Sequence, residues 1–208
     1  EIEKVIVDLK RLNEMSETAE RNSLLGSAYN RKAMMSSVKK DKISALLKAA
    51  GYYFKAKEMA GEGKNNYSLT NWLEINNMLN LAGKLTWSKS ERKGIKVPTL
   101  KSAKESMLSI INSKSITDND MDFWKEVEIA NACLCLWLLE RKNTADMNEK
   151  MVIDAYQKAW NFAGSLNKKI AEIEHFDFLI NAWSTFSTAK PQIKAITKIR
   201  TDLKNFLK

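Results

Sequence analysis

The chain is poor in the residues that end or bend regular structure. Its 208 residues include only 7 glycines and 2 prolines, and no run alternates Val, Ile and Thr with polar residues. A sandwich or barrel needs many turns and many such alternating runs. The shortage of both predicts an all-α fold, an α-solenoid of antiparallel hairpins with eight to nine helices.

Cysteine is almost absent. Cys133 and Cys135 are two positions apart in an apolar helical stretch. Side chains at positions i and i+2 of a helix do not face each other, which argues against a disulfide or a shared metal ion. We expect two small buried side chains and a reducing compartment.

Histidine is rarer still, since His175 is the single one in the chain. Acidic residues lie near it in sequence, but a lone histidine without a second ligand cluster is a weak basis for a metal site or a general base. The sequence also has no glycine-rich phosphate loop, no nucleophile elbow and no His-Glu-x-x-His motif. We therefore expect no enzyme activity, no cofactor and no metal.

Long hydrophobic runs are missing too. The most apolar stretch, residues 130–139, is far shorter than the roughly 20 residues that a membrane helix needs. The first residues are charged, which is unlike a signal peptide. The chain begins with Glu1 instead of Met. We expect a cytoplasmic chain without a membrane partner, cut or processed from a larger protein and forming one domain over residues 1–208.

The net charge of +9 is concentrated in two places. Residues 84–104 hold seven basic side chains and one acid, and residues 186–208 hold six and one. Trp87 lies within the first stretch, and lysines interleaved with an aromatic ring are typical of phosphate contact. Nucleic acid is thus the alternative partner. The corresponding basic patch comprises Lys84, Lys89, Arg92, Lys93 and Lys96.

The spacing of apolar residues predicts the helices. The predicted spans are residues 2–15, 18–37, 41–60, 69–82, 100–112, 120–142, a helix before 164, residues 167–186 and a last helix from 191. Two capping-box spacings, Thr117 with Asp120 and Asp146 with Glu149, mark helix starts, and Gly61 marks an end. The tryptophans share faces with Leu or Ile and are expected in packing positions, except Trp87.

A short pattern occurs twice. Residues 53–61 and 156–164 share Tyr, Lys, Ala, Ala and Gly at identical offsets, and 103 residues separate the two copies. That distance is close to three units of about 34 residues. Repeated helical units stack into arrays, which are usually binding surfaces.

The first copy and its upstream helix resemble the tetratricopeptide repeat. The first-helix pattern Leu-Gly-x-x-Tyr begins at Leu25, and the second-helix pattern Ala-x3-Tyr-x2-Ala begins at Ala49. Gly26 would allow close helix approach, and Tyr29 would fill the groove beside it. Residue Asn22 stands at the family's tryptophan position, Gly61 replaces its proline, and the 23 residues from Gly26 to Ala49 exceed the standard spacing.

Three further segments, residues 24–33, 67–73 and 174–179, resemble a divergent repeat region of large bacterial multidomain proteins. There it accompanies a caspase-like or other effector domain, and it is similar to the TRAF-binding segment of some stress kinases. The resemblance implies a regulatory scaffold that binds a protein or peptide partner, or neighbouring domains of the same chain.

The tetratricopeptide resemblance also implies that partner contacts lie on the first helix of each hairpin, on the concave side. A solvated polar face is the alternative for each of these residues. The predicted partner-binding residues are Ser23, Ser27, Asn30, Arg31, Asn71, Glu74 and Asn77.

Overall fold

The computed structural model describes residues 1–61, 64–90, 96–113, 123–140, 147–186 and 190–207. These residues contain nine helices and no strand, which confirms the predicted all-α class with helical hairpins of the solenoid type. The helices are α1 (Ile2–Met15), α2 (Ala19–Met35), α3 (Lys39–Ala60), α4 (Asn66–Leu81), α5 (Leu100–Asn112), α6 (Phe123–Glu140), α7 (Glu149–Trp160), α8 (Leu166–Ser184) and α9 (Lys190–Lys204).

The chain divides into two compact units, Glu1–Thr99 and Leu100–Lys208. The single domain expected for residues 1–208 stays a prediction. None of the described helices has the length and apolar character needed to cross a bilayer.

Unit 1 holds α1 to α4, and each helix packs against the next. Thr18 caps α2 by accepting from the Arg21 amide, and Asn65 caps α4 by accepting from the Ser68 amide. Gly61 ends α3 with a φ of 83°, which a glycine adopts without strain. The core of this unit includes Leu25, Ala49, Tyr53, Trp72 and Leu79.

Unit 2 holds α5 to α9. Helix α6 packs between α5 and α7, while α9 packs against both α8 and α7. Its core includes Cys133 and Cys135 as buried free thiols, and burial raises the pKa of Cys133 to about 11. The expected packing role of these cysteines therefore fits their position.

Two predictions from local sequence patterns were wrong, and a third lies outside the described residues. Asn148, whose side chain accepts from the Met151 amide, caps α7, so the start predicted from Asp146 was wrong, and Asp146 itself lies outside the described residues. The Thr117 and Asp120 capping box also falls outside them. Trp124 is 52% exposed, so the packing role expected for it was wrong.

Candidate functional site

Helices α2 and α3 meet at Gly26. A β-carbon at this position would lie 2.7 Å from the Tyr53 ring, closer than packed atoms approach. The aromatic ring beside Gly26 is therefore Tyr53 of α3. Tyr29, expected there from the sequence, instead stacks on Tyr52, with ring centroids 5.6 Å apart. The sequence pattern allows either Tyr29 or Tyr53 to lie beside Gly26. Only the packing of α3 against α2 shows that Tyr53 takes this position.

This close approach places the Tyr53 hydroxyl within a cluster of polar side chains. It lies 3.1 Å from the Ser27 hydroxyl and 3.5 Å from the Tyr67 hydroxyl, and Asn30 Nδ2 donates to it over 3.3 Å. The Ser27 and Tyr67 hydroxyls are 2.9 Å apart. Three helices, α2, α3 and α4, thus share one hydrogen-bonded cluster.

The cluster has a marked electrostatic effect on Tyr53. Burial raises the pKa of this phenol well above its ordinary value, and the nearby Tyr67 and Glu74 side chains raise it further. The Ser27 hydrogen bond acts in the opposite direction. Tyr53 therefore stays a neutral phenol across the physiological pH range, able both to donate and to accept.

A second contact joins α2 to the start of α4. The hydroxyls of Ser23 and Ser68 lie 2.6 Å apart, and Asn65 Nδ2 donates to the Ser23 hydroxyl over 3.3 Å. Asn65 is also the α4 cap, so its side chain both starts the helix and ties it to α2. The two elements are therefore held together by polar contacts along their first turns.

Beyond Ser68, further polar side chains of α4 lie in the interior of unit 1. Asn71 Nδ2 donates to the Tyr67 carbonyl over 2.9 Å, and Glu74 and Asn77 are each only 1% exposed. We call the whole set of side chains the polar seam. It comprises Ser23, Ser27, Asn30, Tyr53, Tyr67, Ser68, Asn71, Glu74 and Asn77.

Six of the seven predicted partner-binding residues lie in this seam. Asn30, Asn71, Glu74 and Asn77 are buried, Ser23 and Ser27 are half-buried, and Arg31 is exposed. Their role in binding stays a prediction. The sequence reasoning passed over Tyr67, which is 47% exposed and is the most accessible ring of the seam. The sequence signal for Tyr67 is its position one helical turn before Asn71, at the start of the polar face of α4.

The second copy of the repeat makes similar contacts with fewer polar side chains. The Tyr156 hydroxyl donates to Asn131 Oδ1 on α6, as Tyr53 contacts Asn30 on α2. Tyr156 also packs edge-on against Phe176 of α8, with centroids 5.1 Å apart, as Tyr53 packs against Tyr67 of α4. The two copies are therefore alike in structure as well as in sequence.

The two copies differ in the helix that follows. The face of α8 around Phe176 includes the buried apolar side chains Ile173, Leu179 and Trp183 and one buried carboxylate, Glu172. Helix α4 instead buries three polar side chains, Asn71, Glu74 and Asn77. Hairpin packing therefore tolerates a mostly apolar face at this place. The polar seam is a feature of unit 1.

The basic patch lies on the segment that follows α4. Lys84, Lys89 and Lys96 are exposed, and none of them forms an ion pair with another described residue. Trp72 Nε1 donates to the Lys96 carbonyl over 3.0 Å, and the Ser88 amide donates to the Pro98 carbonyl over the same distance. Arg92 and Lys93 lie outside the described residues.

The basic C-terminal helix is partly neutralised. Lys198 pairs with Glu149 at 2.7 Å, and Arg200 pairs with Asp177 at 2.6 Å. Both contacts join α9 to its neighbours within unit 2. Two of its cations therefore serve packing, which leaves less charge for a phosphate backbone.

His175 is half-buried on α8. Its ring centroid lies 6.3 Å from that of Phe178 and 6.5 Å from that of Phe176. The described residues contain no group of three or more His, Cys, Asp or Glu side chains that could hold a metal ion.

Residues 1–79 match the family model described as Tetratricopeptide Repeats-Sensor, TPR-S. This segment includes α1 to α3 and most of α4, and hence every residue of the polar seam. No curated protein and no solved structure matches the chain. This match supports the suspected resemblance to the tetratricopeptide repeat over residues 1–79.

Proposed function

We propose that the chain is a non-catalytic regulatory scaffold of a larger cytoplasmic protein, and that the accessible edge of the polar seam in unit 1, Tyr67 with the neighbouring Arg31, is its partner-binding face. The observation that carries this proposal is the difference between the two copies of the repeat. Unit 2 packs the equivalent helix with Phe176, Leu179 and Trp183, while unit 1 buries Glu74 and two asparagines.

Buried polar groups that hydrogen-bond to each other add little to stability. Replacing both partners of such a bond by apolar groups of the same shape is often nearly neutral or stabilising. A chain that keeps so many polar groups at a place where apolar ones suffice has a use for them besides folding. Recognition of a polar partner is such a use.

The accessible edge of the seam indicates how a partner would be held. Tyr67 is 47% exposed, and Arg31 is exposed one helical turn after Ser27, whose hydroxyl contacts Tyr67. Tyrosine and arginine are, with tryptophan, the residues enriched among energetically dominant interface contacts. Arg31 would pair with a carboxylate of the partner, and Tyr67 would supply the flat contact area. The partner is thus a protein or peptide with an acidic group.

The proposal is tested with the 208-residue chain as bait. A partner is isolated from a lysate or from the remainder of the parent protein, purified, and titrated by calorimetry. We expect Arg31→Ala and Tyr67→Ala each to weaken its binding about tenfold or more. Lys101→Ala, which removes an exposed cation of unit 2, is the matched control and should change little. Undiminished binding by the Arg31→Ala, Tyr67→Ala double variant would contradict the proposal.

The exposed cations of the basic patch favour a second candidate function, nucleic-acid binding. Lys84, Lys89 and Lys96 form no ion pair with the described residues. The segment that carries them is tied to α4 by the hydrogen bond from Trp72 to the Lys96 carbonyl. Each phosphate contact contributes a salt-dependence slope of about −0.9 for duplex DNA. Fluorescence anisotropy with a short duplex should therefore lose about three units of slope when all three lysines become Gln. An unchanged slope would exclude this patch.

A further inference from the structure

A cavity of about 490 Å³ opens on unit 1, away from the polar seam. One wall is the C-terminal half of α1, the other is the face of α3 that carries Tyr52 and Lys55, and Leu25 of α2 is among its lining residues. None of the seam residues lines it. Its size lies within the range of about 300–1,000 Å³ that is usual for small-molecule sites.

The charges of the cavity are balanced but not all paired. Lys55 pairs with Glu17 at 3.2 Å, between α3 and the turn that precedes α2. Lys10 and Glu14, one turn apart on α1, form no ion pair with any residue that the structure describes. Lys10 lies instead 5.9 Å from the centre of the Tyr29 ring, and its contact with Tyr29 raises the pKa of its ammonium group. Lys10 is thus hydrogen-bonded to Tyr29 and attracted by Glu14, but no ion pair with a described residue holds either charged group.

The opposite wall provides a rigid flat surface. Tyr52 stacks on the buried Tyr29 ring with an angle of 10° between the planes, so its ring cannot turn freely. Leu25 lies behind this wall with its side chain fully buried, so the Tyr52 ring is the apolar surface that a ligand can reach. A ligand with an apolar or aromatic part can pack here while its charged groups face α1.

We propose that this cavity binds a small zwitterion with an apolar side chain, of the class of free α-amino acids and dipeptides. The ligand carboxylate would contact Lys10, its ammonium group would contact Glu14, and its side chain would lie against Tyr52. A purely anionic ligand would meet the carboxylates of Glu14 and Glu17, and a purely cationic one would meet Lys10 and Lys55. Only a molecule with both charges matches both groups of α1.

This site is independent of the partner-binding face. The cavity lies between α1 and α3, and the seam joins α2 to α4 through Tyr53. A bound ligand would contact both α1 and α3, so it should raise the melting temperature of the chain as its concentration exceeds the Kd. The Arg31→Ala variant, which should bind the protein partner more weakly, should bind the small ligand with unchanged affinity.

The experiment titrates the 208-residue chain with L-phenylalanine and with the dipeptide Leu-Phe, by calorimetry and by saturation-transfer NMR. Phenethylamine and 3-phenylpropanoate keep the ring but lack the carboxylate or the ammonium group. We expect at least one zwitterion to bind about tenfold more tightly than both comparators, and Glu14→Gln to weaken it about tenfold. Glu20→Gln, an exposed change on α2 outside the cavity, is the matched control.

Three results would overturn the proposal. One is the absence of binding by both zwitterions up to about 10 mM, the weakest range that such a site would serve. The second is equal binding of either comparator. The third is unchanged affinity in Glu14→Gln, because that carboxylate is the only partner proposed for the ligand ammonium group. The melting temperature of each variant without ligand shows that it is folded.

Discussion

A β-carbon at position 26 would lie 2.7 Å from the ring of Tyr53, so these two residues fix how closely α2 and α3 approach. The hydroxyl of the same ring then reaches Ser27 and Asn30 on α2 and Tyr67 on α4. The close contact and the polar seam are therefore parts of one arrangement. Changes at either residue should propagate to the other.

Gly26→Ala should destabilise unit 1. The Tyr53 ring is fully buried, so overpacking should cost up to about 3 kcal/mol and outweigh the roughly 1 kcal/mol that alanine gains in a helix. Urea denaturation followed by circular dichroism measures the change in the free energy of unfolding.

Gly51→Ala is the internal control for that change. Gly51 also lies within a helix, α3, but a β-carbon there would meet nothing within 4 Å. We expect this variant to be more stable than the parent by about 0.5–1 kcal/mol. Equal effects at the two glycines would contradict the close packing of Gly26.

Tyr53→Phe should cost about 1–2 kcal/mol of stability. The substitution keeps the ring on Gly26 but removes the acceptor of Asn30 Nδ2, while the Ser27 hydroxyl keeps its contact with Tyr67. Tyr67→Phe removes a hydroxyl from the same cluster at a half-exposed ring, where water can replace it, and should cost less. Chemical denaturation of both variants gives the comparison. A larger loss for Tyr67→Phe would show that Tyr53 is not the centre of the cluster.

The helices were predicted well because their signals are local. The bounds predicted for residues 2–15 and 100–112 equal those of α1 and α5. The start of α7 was missed because Asp146 and Asn148 each precede a suitable first turn, and sequence spacing alone does not rank the two caps. The side chain of Asn148 accepts from the Met151 amide, so it is the cap that the fold uses.

The site was predicted less well because burial is set by distant parts of the chain. Periodicity placed Ser23, Ser27 and Asn30 on one face of α2, and they do share the seam. It gave no information on whether α4 covers that face. The covering depends on Tyr53 reaching through from α3, a contact across 26 residues that no local pattern contains.

High pH should destabilise the protein through Tyr53. Burial raises the pKa of Tyr53 in the folded state well above its ordinary value, so the folded protein disfavours the phenolate that the unfolded chain forms freely. This contribution to stability is complete below about pH 10 and is lost as the pH rises from there toward the folded-state pKa. Absorbance at 295 nm, compared between the parent chain and Tyr53→Phe, should show that the variant has lost one phenol ionisation above about pH 10. Loss of an ionisation at or below about pH 10 would contradict the prediction.

Lys158→Ala removes the exposed partner of an ion pair in unit 2 whose carboxylate, Glu126, is buried. Lys158 Nζ lies 3.0 Å from Glu126, whose side chain is only 6% exposed, so the substitution strands a carboxylate in the interior. We expect a loss of about 1–2 kcal/mol in the free energy of unfolding. Lys150→Ala is matched, because it makes the same change on the same helix, but its partner Asp154 is largely exposed. That control should lose at most about 0.5 kcal/mol. Equal losses in the two variants, measured by urea denaturation, would show that helix propensity and not the stranded Glu126 carboxylate determines the effect.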